Sequence, residues 1–480
     1  MKGSLTNFSN LILILCIVCS CQRKNVSVFS LAGNWSFALD SNDAGEKENW
    51  SVRRFPEFVK LRGSLQEQGK GYDIDVNTEW TGAVNDRSWY DSKEYEKYRE
   101  HGNIKVPFWL TPDKHYVGVA WYQKEIEVPE SWADKRILFE LERTHWETSL
   151  YIDGNKMEQL DALQVPHRYL INSLSPRKHL LSLRVDNRMH IDVGSNAHSI
   201  SDHTQTNWNG IIGEINMKAL PSLFIENVQV YPDAKNKKVV VRIDLNGKIK
   251  QSRLEMDIFL KDKSVLKKKI VVDLSPNLGN LLETVVELED SVRLWSEFTP
   301  NVYSLYTSLS SQDGIYEKSV NFGFREFRAN GTHFEINGQP TFLRGTLECC
   351  IFPLTGNPSM QDDYWTKIYT ACKNHGLNHV RFHSLSPPEA AFHVADSMGM
   401  YLQVECGGWT WIGEGKKQDE WFKEEGDRIL KEYGNHPSFC MLAYGNEPGG
   451  NNQVKYLSEL IAHWKQSDNR RLYTSSGGFD

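Results

Sequence analysis

Apolar and polar positions alternate in short runs from about Val28 to Pro221, with turn residues between the runs. Leu138-Phe139-Glu140-Leu141-Glu142 and Ser149-Leu150-Tyr151-Ile152 have the period of two that a half-buried strand requires. Asp153-Gly154 then predicts a tight hairpin, because both residues tolerate the positive φ of its turn. Leu180 to Val185 continues the pattern, and a β-sandwich over residues 22–223 fits it best. From Gly63 to His101 the chain is rich in Gly, Asp, Asn and Tyr without periodicity, the composition of function-bearing surface loops.

Alternation returns at Val239–Leu245 and Arg253–Leu260, and residues 224–327 suit one immunoglobulin-like β-sandwich. After Asn330 the period changes. Strands are predicted at Phe342–Gly345, Asn378–His383, Tyr401–Glu405, Phe439–Tyr444 and Leu472–Ser475, separated by helices at Tyr364–Cys372, Glu389–Met398, Glu420–Tyr433 and Gln453–Lys465. Strict alternation is the pattern of βα units on a parallel sheet. No phosphate-binding glycine loop follows the first strand, which favours a barrel, so residues 328–480 read as the N-terminal part of a (β/α)8 TIM barrel.

A length of 480 residues exceeds what one core supports and suits about three domains. The net charge of -7, with no dense Lys/Arg stripe, argues against a nucleic-acid partner. Fifteen Trp and nineteen Tyr supply aromatic faces of the kind sugars stack on, although core packing accounts for most such residues. At the N-terminus, Lys2, the apolar run Leu11 to Val18 and then Val18-Cys19-Ser20-Cys21 resemble a bacterial lipoprotein signal of residues 1–21. The resemblance implies export, cleavage before Cys21, and periplasmic or cell-surface anchoring through a lipid on Cys21. Cys349, Cys350, Cys372, Cys406 and Cys440 are odd in number and mostly flanked by apolar residues, so buried thiols are expected rather than a disulfide framework. Their spacing supports no metal centre, and no cofactor is expected.

Barrels of this kind carry chemistry where strands end at the C-terminal face. Those ends hold Glu348, Arg381 with His383, Glu405, and Asn446-Glu447. A single salt bridge such as Arg381 with Glu405 has an ordinary structural explanation. Four polar strand ends together do not, because uncompensated carboxyls near a low-dielectric core cost several kcal/mol. The order sandwich, immunoglobulin-like domain and barrel, with Asn446-Glu447 closing the fourth strand, resembles family 2 of the glycoside hydrolases. Arg143-Thr144-His145-Trp146-Glu147 leading to Asp153-Gly154 resembles the family's sugar-binding, jelly-roll-like domain, and Asn207-Trp208-Asn209-Gly210-Ile211 its closing motif. Gly323-Phe324-Arg325-Glu326-Phe327, followed by Phe334 to Pro340, resembles the lead into the barrel.

The resemblance implies a retaining exo-glycosidase of the β-galactosidase and β-glucuronidase kind, acting on oligosaccharides or polysaccharide side chains. Glu447 would be the acid/base, Asn446 would bind the sugar's 2-hydroxyl, and Arg381 would orient the nucleophile. His383, Glu405 and Trp409 would line the sugar pocket, with Trp411 a second platform. The family's histidine stands three residues beyond its arginine, whereas His383 stands two beyond Arg381. Its nucleophile follows the seventh strand, and Glu459, the one glutamate after Glu447, falls mid-helix. The expectation is therefore a chain without its nucleophile, inactive by itself. Two other readings stay open: a non-catalytic carbohydrate-binding lipoprotein, and an endo-acting barrel enzyme such as a mannanase.

Overall fold

The computed structural model describes residues 27–477, apart from 76, 83–90, 101, 104–112, 203–206, 262, 267–269, 278, 289–291 and 353. The expected signal segment and Cys21 lie outside the described residues. In the first region a four-stranded and a six-stranded sheet, both antiparallel, enclose a core that includes Trp35, Tyr122, Phe139 and Leu183. The predicted hairpin joins strands Glu147–Ile152 and Asn155–Leu160, with Asp153 at φ 50° and Gly154 at φ 85°. In the second region the strands Phe224–Asp233, Lys238–Asn246 and Leu281–Glu287 form one sheet. It shares a core of Val, Ile and Leu side chains with a five-stranded sheet. Both regions are therefore two-layer β structures, as their alternation predicts.

The last region holds five strands, β1 (Gly345–Glu348), β2 (His379–Phe382), β3 (Tyr401–Gly408), β4 (Phe439–Asn446) and β5 (Leu472–Gly477). They pair in parallel and in chain order. Helices α1 (Asp362–Asn374), α2 (Glu389–Met398), α3 (Lys417–Tyr433) and α4 (Gln453–Ser467) cross between them. β1 sits later than its apolar run predicts. Phe342 is left 77% exposed, while the Arg344 backbone N–H donates to Asn378 Oδ1 at 2.8 Å and pairing begins at Gly345. β3 and β4 also run past their apolar stretches, because their backbones go on pairing through Gly408 and Gly445. A methyl group on Gly445 would lie 1.9 Å from the Gly408 carbonyl oxygen, so only glycine lets the strands close there.

The regions are joined by polar clamps. Arg325, of the Gly-Phe-Arg motif, donates from Nε to the Pro437 carbonyl at 2.7 Å and from Nη2 to the Phe439 carbonyl at 2.6 Å, securing the start of β4. Arg168 of the first sandwich grips Glu432 of α3 with two hydrogen bonds of 2.5 and 2.7 Å. Trp146, Leu163, Val193 and Ile200 of that sandwich belong to the same apolar cluster as the α1–α4 layer. All five expected thiols are free, with Cys350, Cys372, Cys406 and Cys440 buried. Among the described residues no helix is long and apolar enough to cross a membrane.

Candidate functional site

Parallel pairing brings the ends of β2, β3 and β4 side by side and gathers three of the predicted residues into one network. Arg381 donates from Nε to Glu405 Oε1 at 2.6 Å and from Nη2 to Asn446 Oδ1 at 2.8 Å. Glu405 is fully buried and Asn446 is 3% exposed. An arginine has only donors, so the Asn446 oxygen must face it and the amide N–H2 points elsewhere. Burial pushes the Glu405 carboxyl up to about 7, against the pull of the Arg381 charge. Glu405 therefore reaches the site through Arg381 and presents no surface of its own, which departs from the expected pocket-lining role.

Immediately after β4 the chain turns sharply. Glu447 adopts φ 36°, in the left-handed region that non-glycine residues rarely occupy. Its side chain is exposed beside the buried Asn446, while Pro448 is buried behind it. Glu459, by contrast, is an exposed residue of α4, 4.0 Å from Lys455.

His383 stands one residue past β2 and is 9% exposed. Burial, then the nearby His198 and Arg381, lower its pKa to about 3, so the ring is neutral near pH 7. His198 comes from the first sandwich and stacks on His383 at 4.4 Å, and Trp409 leans on both at 5.7 and 5.3 Å. His198 Nδ1 lies 2.8 Å from the His383 carbonyl and must be its donor. The Trp409 backbone N–H donates to the Val193 carbonyl at 2.8 Å. A methyl group on Gly194 would meet the Trp409 carbonyl oxygen at 2.0 Å, so this loop docks tightly. Trp411 is 62% exposed and bridges to Gly449 just beyond β4.

His198 was not among the candidates read from the sequence. It sits in an aperiodic polar stretch ahead of Asn207-Trp208-Asn209, and its neighbourhood depends on how two regions dock. Glu348, at the end of β1, accepts the Cys350 backbone N–H at 2.8 Å, and burial raises its pKa. Half-buried Cys349 follows it, its thiol pushed up by burial and also sensing Glu348, Arg381 and Glu405. Among the described residues, Glu147, Asp186 and His190 bring possible metal-ligand atoms within 4.8 Å of one another. Arg184 and Arg188 already donate to the Asp186 carboxylate, so that group has ordinary ion-pair partners.

Residues 223–325 match the model of the Glycosyl hydrolases family 2. A β-galactosidase of Priestia megaterium is 22% identical over 95% of this chain and 44% of its own length. One of Thermoanaerobacter pseudethanolicus is 25% identical over 72% of the chain and 46% of its own. The chain thus spans under half the length of these two relatives. In fold, a Ruminococcus gnavus β-glucuronidase superposes with TM-score 0.71 at 16% identity, over 95% of this chain and 73% of that one. A Bacteroides uniformis β-glucuronidase superposes with TM-score 0.68 at 17% identity, over 94% and 52%. The family match is thus confined to the second region, while over most of its length the chain is similar in sequence to β-galactosidases and in fold to β-glucuronidases.

Proposed function

We propose that this chain carries one half of the catalytic site of a retaining exo-acting β-glycosidase, with a glycan oligosaccharide or side chain as substrate. In this reading residues 22–223 form the sugar-binding-like sandwich, 224–327 the immunoglobulin-like sandwich and 328–480 the first five strands of a catalytic TIM barrel. The observation that carries it is the convergence of an exposed carboxyl, Glu447, with an amide held in one orientation by a half-buried arginine that is paired with a buried carboxylate. Retention needs an acid that protonates the leaving oxygen and a second carboxylate about 5 Å away that attacks the anomeric carbon. Glu447 supplies the first, standing clear of the ion pair at the end of a rigid strand. Asn446 supplies an N–H for the 2-hydroxyl, a bond that strengthens in the transition state. Glu405 is committed to Arg381, and the reading assigns the nucleophile to a carboxylate outside the described residues. His383, Trp409 and His198 form one wall of the sugar pocket.

In the full-length protein, Glu447→Gln is expected to lower kcat/KM on an alkyl β-galactoside by about 10²–10⁴. Unchanged turnover would overturn the assignment. The N-terminal pattern adds the proposal of an exported lipoprotein anchored at Cys21. Metabolic labelling with a radioactive fatty acid should mark the wild-type protein and not Cys21→Ser, and equal labelling of the two would sink it.

A further inference from the structure

Three adjacent strands contribute one polar group each to a continuous chain of contacts. Glu405 on β3 accepts from Arg381 Nε at 2.6 Å, and Arg381 on β2 donates from Nη2 to Asn446 Oδ1 on β4 at 2.8 Å. The order matters chemically. Glu405 is fully buried and exposes no atom to a ligand, so any influence it has on a sugar passes through Arg381. The Arg381 side chain is 16% exposed, and its planar fork can bond two acceptors in fixed directions at once. A lone Asn amide has two orientations of similar size, and a neutral donor neighbour would select weakly between them. A permanent guanidinium excludes the orientation that would set N–H2 against it.

We propose that Glu405 is a positioning residue: it locks Arg381, which holds the Asn446 amide so that its N–H faces the 2-hydroxyl oxygen of the substrate. This rests on the reading of Asn446 as the 2-hydroxyl ligand. The relay gives the glutamate a function on a substrate it does not touch. It also makes the recognised group an acceptor oxygen at C2, so sugars lacking that oxygen fall outside its reach.

The test compares kcat/KM for 4-nitrophenyl β-D-galactopyranoside with that for its 2-deoxy counterpart, in the full-length protein and in Glu405→Gln, Arg381→Lys and Asn446→Ala. The intrinsic reactivity difference between the two substrates cancels when their ratio is compared between enzymes. Glu405→Gln keeps the size and an acceptor oxygen. Arg381→Lys keeps the charge but has one nitrogen for two acceptors. Both should reduce the preference for the 2-hydroxy substrate about 10- to 100-fold, approaching Asn446→Ala, whatever loss the two substrates share. A Glu405→Gln enzyme that loses equally on both substrates, or on neither, overturns the relay while leaving the catalytic reading standing. Failure of the wild-type protein to cleave any aryl β-glycoside overturns the catalytic reading and the relay with it.

Discussion

Glu405 illustrates how far a residue can be understood before its neighbours are known. Its type and place at a strand end were legible in the sequence, and so was its pairing with Arg381, one strand away in a parallel sheet. Its depth was not, because the cover over the face of β3 opposite to Leu402, Val404 and Cys406 comes from the tertiary fold and leaves no local pattern. Burial raises its carboxyl to about 7, so in the fold the proton is held more tightly than in the unfolded chain. The sign follows: this stabilising contribution is present below the ordinary value of 4.5 and is lost as pH rises through about 7. Thermal melts should therefore shift in favour of Glu405→Gln over wild type between pH 4.5 and pH 8, by on the order of 3 kcal/mol. A difference that stays constant with pH would contradict the burial argument. Glu447 is the opposite case. Its dipeptide was visible, but not the left-handed turn that lifts it off β4 beside a buried neighbour.

At the scale of elements, the alternation of strands and helices after residue 330 was legible because each has its own period. α2 matches its predicted span of Glu389–Met398, while β3 and β4 extend two or three residues beyond their apolar runs. Among those extra residues Gly408, Gly445 and Asn446 carry backbone pairing that hydrophobicity does not report. The join between α2 and β4 is similarly hidden in polar residues. His436 lies just before β4, with Nδ1 2.6 Å from Asp396 Oδ2 and Nε2 3.1 Å from Glu389 Oε1, both on α2. Burial alone would lower the imidazole's pKa, but the two carboxylates raise it to about 10. A raised histidine contributes stability that is fully present below its ordinary value of 6.5 and lost as pH rises through about 10. The melting temperature of the wild-type chain should fall between pH 7 and pH 10 by several degrees more than that of His436→Gln. Parallel pH profiles for the two would show that the clamp carries no charge.

Over the whole molecule, two β regions followed by a parallel α/β region could be read from changes of period, and the family resemblance from a few motifs distributed along them. What no period could reveal is the docking of the first sandwich onto the parallel sheet, which places His198 against His383 and Val193 against Trp409. Such contacts join residues roughly two hundred positions apart and leave no local signature. Contacts at the strand ends are thus shared between regions, and Glu447 is an exposed carboxyl just past the end of β4. In the proposed reading Glu447 protonates the leaving group. The direct measurement is the hydrolysis of aryl β-galactosides with leaving groups of graded pKa by the full-length protein and by Glu447→Gln. A shallow dependence is expected for the wild type and a steep one for the variant, with losses of about 10²–10⁴ confined to poor leaving groups. A loss of the same size across the whole series, or no loss, would contradict it.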